Sequence, residues 1–216
     1  MKKLIVALWF GLVANMAWAA DFQEGVHYRT VNPVGSAAQP TVTEFFSTYC
    51  GNCYNMEHRF LPLITPELEK LGIEFEKKHV NFSGDQIGED MVRGYATMMQ
   101  LGDENAQLLD KLFELNGAKN HDHSAHADTG EPEKALKNLT DIRTQFIEFG
   151  YEGEAFDQAA SSPAVEAAIK QWAQQQQLYE IYSIPAFVVN NRYLININKI
   201  ETVAQLVELM EFLSKR

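Results

Sequence analysis

Cysteine is nearly absent from this chain: its 216 residues contain two, Cys50 and Cys53. With no second cysteine pair they fall short of the commonest structural zinc site, which takes four ligands, usually two such pairs or one pair plus spaced histidines. A bridge between residues three apart closes almost no loop and adds little stability. A chain that places its only thiols in one C-x-x-C pair is using them for redox chemistry. Basic charge is also scarce, with 18 Lys and Arg against 29 Asp and Glu and a formal net charge of −11. That balance argues for solubility and against a nucleic acid or an anionic membrane surface as partner. Long apolar runs are missing too. Leu4–Ala14 is interrupted at Asn15, well short of the roughly 20 residues that span a bilayer. No internal repeat is present.

The first residues read as an export leader. Lys2 and Lys3 form a basic start, the apolar run follows, and Ala17-Trp18-Ala19 supplies the small-x-small pattern of a cleavage site. Residues 1–19 are therefore expected to be a signal peptide, with the mature chain starting at Ala20. Export brings an oxidising setting in which disulfides persist. What remains is enough for one sizeable domain, or for a domain with a large insertion.

Along the mature chain, His27–Val31 reads as a short strand and Thr41–Phe46 as a buried one. A helix is expected from Cys50 to about Leu71, kinked or interrupted at Pro62 and Pro66. Ile73–Phe82 is strand-like. Helical patterns then dominate from about Gln86 to Tyr182, with Ser162 and Pro163 as N-cap and first residue of the last helix. Ala186–Val189 and Tyr193–Ile197 form two strands joined by a tight turn at Asn190-Asn191, since Asn tolerates positive φ. Asn198-Lys199-Ile200-Glu201 is expected to act as a capping box that opens a final helix. The order β, β, α, β, helical block, β, β, α predicts an α/β thioredoxin-like fold with an inserted all-helical domain. The expected divisions are 20–82 and 183–216 for the thioredoxin-like part and 83–182 for the insertion.

Three segments carry a family resemblance: Glu44-Phe45-Phe46-Ser47 leading into Cys50, Cys53 and Tyr54; His79-Val80-Asn81-Phe82-Ser83-Gly84; and Ile184-Pro185-Ala186-Phe187-Val188-Val189-Asn190. Their order and separations resemble the DsbA family of periplasmic thiol–disulfide oxidoreductases over almost the whole mature chain. The resemblance implies a periplasmic location and donation of disulfides to reduced, incompletely folded exported proteins. It also implies reoxidation by a DsbB-like quinone-linked oxidase of the inner membrane. The redox centre would be the cysteine pair itself, with no further cofactor, and a monomer is expected.

Residue roles follow from the same resemblance together with local physics. Cys50, at a helix N-terminus where N–H groups and the dipole favour a thiolate, would be the nucleophile. Cys53, one turn inside, would be the shielded partner. Glu44 shares a strand face with Val42 and Phe46, where a carboxylate is expected to have a raised pKa and to exchange a proton with Cys53. An X-Pro bond is ordinarily trans, but the resemblance implies that Pro185 is cis and faces the dithiol. Ile184 would then offer its backbone to an extended substrate and its apolar side chain to the sulfurs. Gly51 and Asn52, placed to touch substrate, depart from the Pro-His dipeptide familiar in this family. An amide in place of an imidazole predicts a higher Cys50 pKa and a weaker oxidant than a Pro-His relative.

Two other readings stand beside this one. Gly51-Asn52 is compatible with a disulfide reductase or isomerase, although the short stretch between Ala20 and Cys50 leaves no room for the dimerisation domain of periplasmic isomerases. A metal-binding or metal-delivery protein would use the cysteines with His121, His123 and His126. Those histidines lack the i,i+4 spacing of a helical site, and a solvated loop is the expected form of the tract. His58 and His79 are expected to be ordinary structural residues.

Overall fold

A computed structural model describes residues 22–31, 37–82, 84–102, 105–117 and 136–216. The proposed leader and the His121–His126 tract lie outside the described residues. Five strands, β1 (Tyr28–Thr30), β2 (Thr41–Phe46), β3 (Glu74–His79), β4 (Ala186–Val189) and β5 (Tyr193–Ile195), form one sheet in the order β1-β5-β4-β2-β3. β2 and β3 run parallel and the other neighbours antiparallel. The parallel pair is joined by helix: α1 (Gly51–Asn55), a π-helical turn (Met56–Phe60) and α2 (Leu61–Lys70). The interruption expected at Pro62 and Pro66 falls ahead of both: the widened turn ends at Phe60, and Pro62 and Pro66 lie within α2, Pro62 in its first turn, where a missing N–H costs nothing. Between β3 and β4 come α3 (Gln86–Gln100), α4 (Ala106–Leu115), α5 (Leu139–Glu148), α6 (Gly153–Ala160) and α7 (Pro163–Leu178). This is the expected thioredoxin-like plan with inserted helices.

Strand alternation divides the core. Val42, Phe187 and Val189 pack on one face with Met56, Ile64 and Leu68 and with Leu209 and Leu213 of the last helix. Phe45 and Val188 point to the other face, towards Tyr179 and Ile181. Side chains such as Ile64 and Leu68, wholly removed from water, each contribute about 1.5–3 kcal/mol of transfer free energy. The inserted helices have their own core around Met91, Leu112, Phe146 and Phe156. Phe46, at the end of β2, joins that side of the molecule to the dithiol through Tyr95, Phe113 and Trp172.

Local signals hold at most junctions. Ser162 accepts the Val165 N–H at 3.2 Å ahead of Pro163. Asn190 and Asn191 both have positive φ, 52° and 54°, in the turn from β4 to β5. The expected capping box is displaced: Ile197–Lys199 forms a 3₁₀ turn, and α8 spans Val203–Ser214. Its N-cap is Thr202, which accepts from Gln205 N at 3.1 Å, while the Gln205 side chain accepts from Glu201 N at 2.7 Å. The helix start therefore belongs to Thr202 and Gln205, with Gln205 reaching one residue past the cap to Glu201. Ile197 and Ile200 pack against the core, which holds Asn198–Glu201 ahead of the helix. The strands are also shorter than expected, β3 ending at His79 and β5 at Ile195.

Candidate active site

β2 delivers the chain to the site through a turn in which Ser47 O accepts from Cys50 N at 3.1 Å. Cys50 is the N-cap of α1, with extended φ and ψ of −98° and 110°. Its Sγ takes the place of a capping oxygen and accepts from Cys53 N at 3.1 Å. Both thiols are free. Cys50 is half-buried, whereas Cys53 is 1% exposed within an apolar cluster that includes Phe46 and Trp172.

Their environments separate the two sulfurs. The Cys53 thiol hydrogen-bonded to Cys50, together with the backbone N–H groups of Cys53 and Asn52, holds the Cys50 pKa below the ordinary thiol value against the opposing effect of burial. For Cys53, burial first, then its hydrogen bond to Cys50 and the Cys50 and Glu44 charges, push the pKa far upward. One sulfur is suited to being a thiolate and the other to staying protonated.

The Ile184–Pro185 peptide bond is cis, as the resemblance implied. It precedes β4 and brings the Ile184 carbonyl to 3.6 Å from Cys50 Sγ, which donates to it. Ile184 itself packs against the cluster that holds both cysteines. Gly51 opens α1 partly buried, and the Asn52 side chain is exposed, so the dipeptide helps the sulfur through its main chain. Glu44 lies on β2, 1% exposed, in register with Phe187 of β4 and Lys77 of β3.

Lys77 was not among the residues singled out from the sequence. Its side chain is 4% exposed and its Nζ lies 2.5 Å from Glu57 Oε2 on the π turn and 4.7 Å from the Phe46 ring centre. Parallel pairing of β2 and β3 was the signal for it, because that register sets Lys77 beside Glu44. His79, expected to be unremarkable, is buried at the end of β3. Its Nε2 accepts from Thr48 N at 3.0 Å. His58 bridges α1 to α4, its ring nitrogens lying 2.9 Å from Tyr54 O and 2.8 Å from Asp110 Oδ1. Among the described residues no group of three or more His, Cys, Asp or Glu side chains is arranged to hold a metal ion.

A helix-capping cysteine, a buried second cysteine and a facing cis-proline loop on this sheet define a thioredoxin-fold thiol–disulfide oxidoreductase. The chain belongs to the DsbA family: residues 41–208 match the DSBA-like thioredoxin domain. It is 34% identical over 201 residues to the thiol:disulfide interchange protein DsbA of Haemophilus influenzae, covering 91% of this chain and 89% of that protein. It is 31% identical over 225 residues to the Escherichia coli protein of the same name, covering the whole of both. The peptide-bound structure of Proteus mirabilis DsbA superposes with a TM-score of 0.73 at 26% identity, over 91% of this chain and all of that one.

Proposed function

We propose that this chain is a periplasmic dithiol oxidase that transfers its Cys50–Cys53 disulfide to cysteine pairs of exported proteins. The observation that carries this reading is the geometry of the pair: Cys50 Sγ caps α1 and accepts from Cys53 N at 3.1 Å, whereas Cys53 is 1% exposed. A substrate thiolate attacks Cys50 Sγ of the disulfide form, and Cys53 leaves with the electron pair of the broken S–S bond and takes a proton. The substrate's second thiolate then attacks the substrate sulfur of the mixed disulfide. This closes the substrate disulfide and expels Cys50 as a thiolate, the more stable leaving group. The protein gains two electrons and the substrate loses two.

The site residues take roles in these steps. Cys50 is the attacked sulfur and Cys53 the buried leaving group. Glu44, buried beneath them, supplies and recovers the Cys53 proton. The cis Pro185 loop presents the Ile184 backbone to an extended substrate, and Ile184, Gly51 and Asn52 line the surface it meets. A family member from Proteus mirabilis holds the cysteine-containing peptide PWATCDS non-covalently, consistent with such docking. Residues 1–19 act as the export leader, residues 83–182 as one inserted unit, and the working form is a monomer. Reoxidation begins when the Cys50 thiolate attacks the disulfide of a DsbB-like, quinone-linked membrane partner. Cys53 then attacks Cys50 Sγ and restores the internal bond. No further cofactor takes part.

The deciding experiment equilibrates the purified protein with defined mixtures of reduced and oxidised glutathione. A reduction potential clearly above that of the glutathione couple is expected. A potential near that of thioredoxin would instead make the chain a reductase.

A further inference from the structure

We propose that His79 is a positioning residue for the dithiol: its ring accepts from Thr48 and so fixes the turn that presents Cys50, with Asn116 completing the hold from the helical side. This builds on the redox role of Cys50 and Cys53.

The three residues come from separate parts of the fold. Thr48, wholly buried, occupies the turn between Ser47 and Cys50. His79 ends β3, and Asn116 is the C-cap of α4. The Thr48 N–H donates to His79 Nε2 at 3.0 Å, and the Thr48 hydroxyl lies 3.1 Å from the same nitrogen. Asn116 Nδ2 donates to the Thr48 hydroxyl oxygen at 2.8 Å, leaving the hydroxyl proton free to point at the ring. Nε2 therefore carries a lone pair, and the ring proton sits on Nδ1.

His79 Nδ1 is buried beside the rings of Phe46 and Tyr95 at 5.2 and 6.2 Å, and the ring also meets the Val80 backbone. An apolar residue would fill this part of the core but could not accept from Thr48, so the chemistry at Nε2 is the reason for an imidazole here. A neutral ring is required, since a proton on Nε2 would repel the Thr48 N–H. Burial and the Lys77 charge keep it neutral, with the His79 pKa pushed down to about 3.

The hold bears on one redox form more than the other. In the dithiol form, Cys50 Sγ is stabilised by N–H groups of Cys53 and Asn52 only while the preceding turn keeps the sulfur in line with them. In the disulfide form, the covalent bond to Cys53 holds Sγ whatever the turn does. Loss of the His79 acceptor leaves the Thr48 N–H buried without a partner, and the turn relaxes to satisfy it. Relaxation penalises the thiolate and favours the disulfide, so the protein becomes a weaker oxidant.

The test is the equilibrium between protein dithiol plus oxidised glutathione and protein disulfide plus two reduced glutathione molecules. It is measured for wild type, His79→Leu, His79→Gln and Asn116→Leu, with thermal unfolding of both redox forms. His79→Leu should shift the constant towards protein disulfide about tenfold, the size of one charge-assisted hydrogen bond. The Tm of its reduced form should fall more than that of its oxidised form. His79→Gln, whose Oε1 can accept from Thr48, should restore most of the shift, and Asn116→Leu should move the constant a smaller way in the same direction. A His79→Leu constant within twofold of wild type, with both redox forms destabilised equally, would overturn the proposal. If His79→Leu does not fold, an unchanged constant in Asn116→Leu overturns it. A wild-type protein with no reversible dithiol would instead refute the redox role of the cysteines, so the two failures are distinct.

Discussion

Glu44 and Lys77 stand opposite each other in the parallel register of β2 and β3, each more than nine-tenths buried. A carboxylate and an ammonium brought side by side beneath an apolar sheet face cost desolvation that a wholly apolar pair would avoid. Lys77 also reaches Glu57 on the π turn, so three ionisable groups gather around this pairing, and Glu44 among them acts on Cys53. Such a cluster makes sense where protons must reach a buried sulfur.

Glu44→Gln keeps the shape of this position and removes its proton exchange. The step in which Cys53 gains or loses its proton should slow by about a hundredfold at neutral pH, the lower end of general acid–base effects. Attack on Cys50 itself should change little. Stopped-flow fluorescence of oxidation of a reduced peptide measures both, and unchanged kinetics would remove Glu44 from the mechanism.

The two thiols should differ in reactivity as their surroundings differ. Limiting iodoacetamide at pH 7 should alkylate Cys50 and spare Cys53, because only the thiolate attacks and Cys53 is both buried and held protonated. Cys53→Ser should accumulate a stable adduct with oxidised glutathione, visible by mass spectrometry, and Cys50→Ser should not. Comparable labelling of both cysteines would contradict the assignment of nucleophile and partner.

Asn52→His places an imidazole at an exposed position next to the nucleophile. It should lower the Cys50 pKa further and shift the equilibrium with glutathione roughly tenfold towards the dithiol, equivalent to ~1.4 kcal/mol. Thiolate absorbance against pH reads the first effect directly. A variant with the parent titration curve would show that the backbone donors alone set the thiolate.

His79 also predicts how stability depends on acid. Its pKa is about 3 in the folded protein, against about 6.5 in an unfolded chain. Between those values the unfolded chain binds one more proton. The contribution of His79 is therefore fully present above pH 6.5 and is lost as pH falls towards 3, at up to about 1.4 kcal/mol per pH unit. His79→Gln cannot titrate and should flatten the decline between pH 6.5 and 5, before most carboxylates respond. Urea unfolding at pH 7, 6 and 5 measures the difference, and parallel curves for both proteins would refute it.

What could be read without coordinates was local or carried by family pattern. Cys50 and Cys53 announce themselves by spacing, Ser162-Pro163 and Asn190-Asn191 by the backbone each residue tolerates, and Pro185 by its place in a segment shared with a family. The misplaced capping box shows the limit of local signals, since Thr202 with Gln205 and Asn198 with Glu201 offer comparable chemistry. The packing of Ile197 and Ile200 decided between them. The Glu57–Lys77 pair and the Thr48, His79 and Asn116 contacts were illegible for another reason. Each joins residues from elements whose adjacency depends on strand register or on how an inserted helix seats.

The sheet order has a consequence for how the molecule comes into being. β2 is flanked by β3, which follows it closely, and by β4, which arrives only after the whole helical block. Until then the nascent chain presents the Glu44 strand with one edge unpaired. The loop-closure entropy of joining Phe45 to Ala186 must be met before the pairing repays it. The dithiol thus exists for much of synthesis without the Ile184 carbonyl that will face it. Exchange competence arrives with the last strands and helix, so truncation near the C-terminus should silence a centre that lies near the other end of the chain.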